Sequence, residues 1–220
     1  MKKRYFVLSL TCILLSVPVV ICPVCSFAGQ PEAIKLDPPR MERGKTLMES
    51  LNTRRSSRSF SGKDIPIAVL SDLMWAAFGV NRPDTGLRTA PSAMNLQEID
   101  LYVAMKSGLY LFDHKTNTLE PVLPEDIREL TGVQDFTQIA PVNLIFVADF
   151  SRMRSDKDSK IFYSAVDTGF ISQNVYLFCA SEGLSTVVLG WVKKPELKKA
   201  MGLREEQEII LTQPVGYPAE

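Results

Sequence analysis

An α+β domain is expected from this 220-residue chain. Apolar residues recur with a period of two in some segments and with a helical period in others. The two kinds of segment do not alternate regularly, which sets the chain apart from βαβ architectures. With 45% hydrophobic and 23% charged residues, it can bury one substantial core.

The chain opens with "MKKRYFVLSLTCILLSVPVVICPVCSFAGQ". A basic start (Lys2, Lys3, Arg4), an apolar run from Tyr5 to Val24 and small residues at "SFA" predict a signal peptide over 1–28, cleaved after Ala28. Pro18, Pro23 and that exit argue against a retained membrane anchor, and the expected location is periplasmic or secreted. Neither Cys22 nor Cys25 follows a small residue, as a lipoprotein signal would need, and the signal segment has no twin-arginine pair. Cleavage takes the formal balance from 25 basic against 25 acidic residues to 22 against 25. A net charge of −3 does not suit a general nucleic-acid binder. It also leaves Cys179 as the one cysteine, so the mature domain depends on its core rather than on a disulfide.

Residues 29–40, "GQPEAIKLDPPR", are Pro-rich and read as a leader or arm, and 41–220 as the domain. Met41–Asn52 is expected to be helical, with Leu47, Met48 and Leu51 on one face. "IPIAVLSDLMWAAFG" is a second helix, opened by Pro66 and ended by Gly79. "VNRPDTGLRTAPSAMNLQ" reads as a loop. "EIDLYVAM" is a strand, and "GLYLFDHKTNTLEPV" a hairpin. "PEDIRELTG" is a short helix, and "VNLIFVADF" a strand buried on both faces. Asp158–Glu182 is the longest helix, apolar round most of its circumference and therefore expected to be buried almost all round. "GLSTVVLGWV" is a further buried strand, "KPELKKAMGL" a short helix and "EQEIILTQPVGYP" the last strand.

Few side chains offer catalysis. His114 is the only histidine and sits in the "DHKTN" turn, which disfavours a Ser-His-Asp site or a His-ligated zinc. Cys179 lies on the long helix as a core residue. GxGxxG and P-loop patterns are absent, so a cofactor would have to carry any demanding chemistry. Four stretches stand out. In "RRSSRSF" an extended backbone would put Arg54, Ser56 and Arg58 on one face, a set suited to a phosphate monoester, though a solvated basic loop fits too. "APSAMNLQ" combines a stiff turn with the amides of Asn95 and Gln97, which suit a heterocycle edge or simply a polar loop. In "DTGFISQN" the Asp, Gln and Asn of an apolar helix need partners, in neighbouring loops or across a dimer. Gly190 in "VVLGWV" suggests something flat against a buried strand.

In order, "RRSSRSF", "PSAMNLQ", "DTGFISQN", "GLSTVVLGW" and "PVGYP" resemble the motifs of the FMN-dependent nitroreductase family, over nearly all of residues 41–218. The segment with "GLYLFD" and "NTLEPV" also resembles the branch of azoline-oxidising dehydrogenases. The resemblance implies an α+β homodimer, a mostly antiparallel central sheet flanked by helices, and shared FMN sites at the interface. It implies that Arg54 and Ser56 bind the phosphate, with Arg55 also among the cofactor-binding residues, and that Arg58 lies toward the ribityl chain and the N1–O2 edge of the ring. Pro91, Ser92, Ala93 and Asn95 would come from the partner. Gln134 would meet the pyrimidine edge, and the backbone at Leu189 and Gly190 would face N5 and O4. Two departures stand beside it. The sequence runs only to Glu220 after "VGYP", without the basic residues that often help hold the phosphate. Export would separate the protein from nicotinamide donors, leaving the electron donor open. The expected function is an extracytoplasmic FMN-dependent oxidoreductase acting on a small conjugated acceptor such as a nitroaromatic or quinone. The alternatives are a flavin- or ligand-binding module without turnover, and an azoline-type dehydrogenase using oxygen.

Overall fold

The computed structural model describes Met1 and residues 31–219; the expected signal segment lies outside the described residues. The first strand, β1 (Ile34–Lys35), falls in the segment expected to be an aperiodic leader. Two residues are too few to show a period, yet Ile34 pairs opposite Leu119 and Leu36 is buried in the core. Beyond it, Arg40 and Arg43 both bind the buried carboxylate of Asp72, at 2.6 and 2.9 Å. This stretch is strapped to the domain.

Helix α1 (Leu47–Thr53) starts later than the periodicity suggests. Gly44 is left-handed at φ +80°, and Thr46 and Glu49 form a capping box that fixes the first turn. Helix α2 (Ile67–Phe78) has the expected bounds, with the Gly79 amide donating to the Trp75 carbonyl. The segment read as a loop contains a small hairpin, β2 (Val80–Arg82) with β3 (Leu87–Arg88), and a 3-10 turn at Ala93–Asn95. The strands β4 (Ile99–Met105), β5 (Gly108–Asp113) and β6 (Thr118–Leu123) form the expected strand and hairpin. A 3-10 turn at Arg128–Thr131 replaces the expected short helix, and α3 (Phe136–Ile139) follows. Then come β7 (Val142–Asp149), α4 (Lys157–Glu182), β8 (Ser185–Thr186), α5 (Lys194–Ala200) and β9 (Gln207–Gly216).

Seven strands form one antiparallel sheet in the order β1-β6-β5-β4-β7-β9-β8. Every residue of β7 is buried, as expected of a central strand covered on both faces. Its alternate side chains divide between two cores. Leu144 and Phe146 pack with Leu73, Met74, Ile171 and Val175 of α2 and α4. Ile145 and Val147 pack with Leu197, Met201 and Ile209 on the opposite face.

Two expectations change. The segment "GLSTVVLGWV" is in the sheet only at β8 and at Leu189, which exchanges both backbone hydrogen bonds with Thr212. Opposite Val187 stands Pro214, which has no amide to give and whose carbonyl accepts from Thr186 Oγ1 at 2.8 Å, so the ladder is interrupted there, while the outward-facing Val188 amide donates to the Tyr176 hydroxyl at 2.9 Å. Gly190 is therefore exposed, not part of a buried strand. The other change is α4. Its inner face, with Asp167, Thr168, Ile171, Ser172, Val175 and Cys179, is buried. Its outer residues Ile161, Phe162, Tyr163, Val166 and Phe170 are exposed on the single chain, Phe162 by 62%. The apolar circumference read from the sequence is real, but one chain buries only half of it.

Candidate functional site

The basic strip leaves α1 at Arg54, whose backbone is already extended (φ −56°, ψ 128°). The Ser57 amide donates to the Thr186 carbonyl and the Ser61 amide to Tyr217, so the strip runs beside β8 and the end of β9. Tyr176 on α4 organises its first half. The Arg54 guanidinium lies over the Tyr176 ring, 5.2 Å from its centroid, and the Ser56 hydroxyl is 2.9 Å from the Tyr176 hydroxyl. That tyrosine already accepts from Val188, so its own proton can go to Ser56, leaving the serine proton for a ligand. Among the described residues neither Arg54, Arg55 nor Arg58 is in an ion pair. A cavity of about 550 Å³ opens here, walled by Lys45, Arg54, Arg55, Ser57, Tyr176 and Thr186 among others. Arg58 is exposed and lies outside that wall.

Further along the strip, Phe60 packs on Phe136 of α3 with ring centroids 5.7 Å apart. Just before α3 lies Gln134, whose buried Oε1 has no hydrogen-bond partner. A side chain at Gly132 would fall 2.9 Å from both Gln134 Oε1 and Leu189 Cδ1, so Gln134 and Leu189 converge there. Gly190 needs no close approach from the chain itself: an added Cβ would meet only Leu211, at 3.7 Å.

The "PSAMNLQ" loop is elsewhere, against the first half of α4. Met94, Asn95 and Gln97 all have left-handed φ, near +50°. Three such non-glycine residues within four positions cost free energy and persist only where their surroundings over-determine them. Asp167, 2% exposed, accepts from the Ala93 amide at 2.8 Å, and Ser92 Oγ accepts from the Gln97 amide at 2.9 Å. Gln97 Nε2 donates to Gly86 and to Asn95 Oδ1, and its Oε1 accepts from Arg88. The Gln97 amide is thus spent internally, while Pro91 and Asn95 are exposed. Beneath the loop Glu98 is fully buried with both carboxylate oxygens unpartnered. Burial first, and then the charge of Asp167, push its carboxyl up to about 7.

Of the polar residues in "DTGFISQN", Asp167 holds the loop, Asn174 Nδ2 donates to the Ala77 carbonyl at 3.4 Å, and Gln173 is exposed. Asp167 and Tyr176 are nine residues apart, about 13 Å along the helix axis. Arg54, Ser56, Gln134 and Leu189 thus belong to one region of the chain, and Ser92, Ala93 and Asn95 to another. Tyr176 and Lys45 were not anticipated: an aromatic in a helix and a lone lysine carry no sequence signal of a site. Cys179 is buried and its thiol is pushed up by burial, so it is an inert core residue. Among the described residues no cluster could hold a metal, and no helix is long and apolar enough to cross a membrane.

The nitroreductase family model matches residues 51–217. A nitroreductase-like protein of Methanocaldococcus jannaschii is 28% identical over 200 residues, 86% of this chain and 99% of that protein. The solved structure of a nitroreductase-like protein from Ralstonia eutropha superposes with a TM-score of 0.83 at 41% identity, covering 87% of this chain and 92% of the other. The NADPH:FMN oxidoreductase of Vibrio harveyi, solved with NAD+, shares the fold with a TM-score of 0.60 at 21% identity, covering 79% of this chain and 69% of that one.

Proposed function

This chain belongs to the nitroreductase family of flavin-dependent oxidoreductases, and from that premise we propose that it is an exported, FMN-dependent homodimer reducing a small conjugated acceptor such as a nitroaromatic or quinone. The observation that carries the reading is the basic strip, whose arginines are in no ion pair among the described residues, with Arg54 and Ser56 on Tyr176 at the rim of a cavity that Lys45 also lines. A phosphate needs such charge-assisted donors. Lys45 adds a cation that the sequence motifs do not include. The unpartnered Oε1 of Gln134 suits a ring N–H, so the residues fit a phosphorylated flavin.

FMN, when bound, supplies the electron-transfer chemistry. In this assignment Arg54, Arg55, Ser56 and Lys45 hold its phosphate. Arg58 would lie toward the ring, where a cation would favour added negative charge. Gln134 accepts from the pyrimidine edge, with the backbone at Leu189 and Gly190 beside it. Pro91, Ser92, Ala93 and Asn95 come from the partner across a two-fold axis. The exposed apolar face of α4, with Leu47 and Met48 of α1, supports that assembly, because monomers rarely expose large contiguous apolar patches. Export, if it occurs, calls for an electron donor other than soluble nicotinamides.

Titration of residues 29–220 with FMN and with riboflavin tests the reading. FMN should bind at least about tenfold more tightly, the worth of one good charged contact. Equal affinities would remove the phosphate from the strip, and FMN that binds without being reducible would leave a binding module. The β5–β6 hairpin favours a second reading, an azoline-type dehydrogenase with oxygen as acceptor. Oxygen uptake by the reduced protein, compared with nitroaromatic turnover, separates the two.

A further inference from the structure

Strand β7 is apolar from Val142 to Ala148 except at Asn143, which is fully buried. A polar side chain inside a core costs free energy unless it is hydrogen-bonded, so where its bonds go matters. Asn143 Nδ2 donates to the Thr137 carbonyl at 2.6 Å and to Thr131 Oγ1 at 2.9 Å. These two residues bracket Gln134, three positions to either side of it. The Thr131 hydroxyl donates in turn to the Arg128 carbonyl at 2.7 Å. Thr137 closes the turn on Gln134 itself, whose carbonyl accepts from the Thr137 amide at 3.1 Å and from its hydroxyl at 2.9 Å.

The neighbouring strand adds a second post. Thr212 of β9 stands opposite Ile145, and Asn143 shares the Ile145 face of the sheet. Thr212, also fully buried, donates from Oγ1 to the Thr131 carbonyl at 2.5 Å. Its backbone exchanges hydrogen bonds with Leu189 at 2.8 and 3.1 Å. Two adjacent strands thus anchor both segments that converge on Gly132, the Gln134 turn and the backbone at Leu189. Gly132 leaves no room for a side chain, since an added Cβ would fall 2.8 Å from Thr137 Cγ2 and 2.9 Å from Gln134 Oε1. That oxygen is buried without a partner. Apolar packing is non-directional and would hold the turn on the sheet without fixing its rotation. Hydrogen bonds from the sheet fix it.

We propose that Asn143 and Thr212 are positioning residues, which aim Gln134 Oε1 at the one N–H on the pyrimidine edge of an oxidised flavin and so set which ring the site accepts. The inference rests on the flavin reading. Both residues act through the turn and not by contact. A ring alkylated at that nitrogen is rejected, because it would leave the buried oxygen without a donor.

N3-methyl-FMN differs from FMN only by a methyl group on that nitrogen, so the ratio of the two affinities reads recognition of the ring edge. A smaller folded fraction weakens both ligands alike and leaves the ratio unchanged. The intact protein should prefer FMN by about fivefold or more, the worth of one neutral hydrogen bond. Gln134→Ala should bring the ratio close to one. Asn143→Ala should do nearly the same, and Thr212→Val should lower the ratio in part. Adding Asn143→Ala to Gln134→Ala should change it no further. Asn143→Ala that is folded by circular dichroism and keeps the full preference would overturn the proposal. If that variant does not fold, an undiminished preference in Thr212→Val, which changes little but the hydroxyl, would do so instead. A preference that survives in Gln134→Ala would overturn the proposal and leave the flavin reading standing. Failure of the intact protein to bind either ligand would overturn the reading itself, and the proposal with it.

Discussion

Two regions of α4 serve the candidate site in opposite ways. Around Tyr176 the partners are open: among the described residues the arginines of the strip lack counterions, and Ser56 keeps a proton to give. Around Asp167 the polar groups are closed on one another, and they hold Met94, Asn95 and Gln97 in a strained backbone. The first region offers charge on largely exposed side chains, whose rotamers are free to turn to a ligand. The second offers shape fixed in advance. A site shared across a two-fold axis can combine the two without asking one segment of chain to be both pliant and rigid.

The largest effect should come from keeping the two regions of facing chains apart. Phe170→Glu puts a charge into the exposed apolar stripe of α4. It should weaken self-association by at least about a hundredfold, roughly 3 kcal/mol for a buried interface anchor. Light scattering would show a monomer that retains its helix content and loses flavin. A dimer of unchanged stability would mean that this stripe is not the interface. A smaller effect should confine itself to the open region. Arg54→Ala should cost about 1.5–3 kcal/mol in FMN binding and Tyr176→Phe about 1 kcal/mol, because the ring under Arg54 survives and only the hydroxyl is lost. Neither should alter riboflavin binding as much, and equal losses for both ligands would contradict a phosphate role.

The effect that least touches ligand binding belongs to the closed region and is one of pH and stability. The Glu98 carboxyl is raised in the folded chain to about 7, against an ordinary value near 4.5. The folded state thus holds this proton more tightly than the unfolded one. The stability it contributes is fully present below about pH 4.5 and is lost as the pH rises through 7. The Tm should therefore decline across that window, and Glu98→Gln should flatten the decline. Parallel profiles for the two proteins would show that the Glu98 proton is not linked to folding.

The sheet was legible because its strands are long enough to show a period, β7 above all. What stayed hidden was short or depended on distant partners. Two-residue β1 has no period to read, and the interruption after β8 comes from Pro214 on the facing strand, which the segment itself does not announce. At the site, the chemistry of "RRSSRSF" was legible as charge and hydroxyl, whereas Tyr176 beneath it was not, since nothing in the sequence says which strip a helical tyrosine will meet. Gln97 shows the converse. Its amide looked free for a ligand, and the fold uses it to tie Arg88, Gly86 and Asn95 together. His114 was rightly placed in a turn, but its burial against Arg88 came from the β2–β3 hairpin, which had been read as loop.

The order of the sheet also sets a timetable for synthesis. Strand β7 lies between β4 and β9, and β8 touches the sheet only through β9. Residues 207–216 are translated after every other strand of the sheet, so a nascent chain carries β7, apolar on both faces, with one edge unpaired until then. An open apolar edge of this kind recruits other strands. The domain cannot close piecemeal as it emerges, and the ordering step is a long-range one. A chain held unfolded until complete, by a ribosome-associated or secretory chaperone, would escape that interval, whereas a fragment ending before residue 207 should aggregate rather than form a smaller version of the domain.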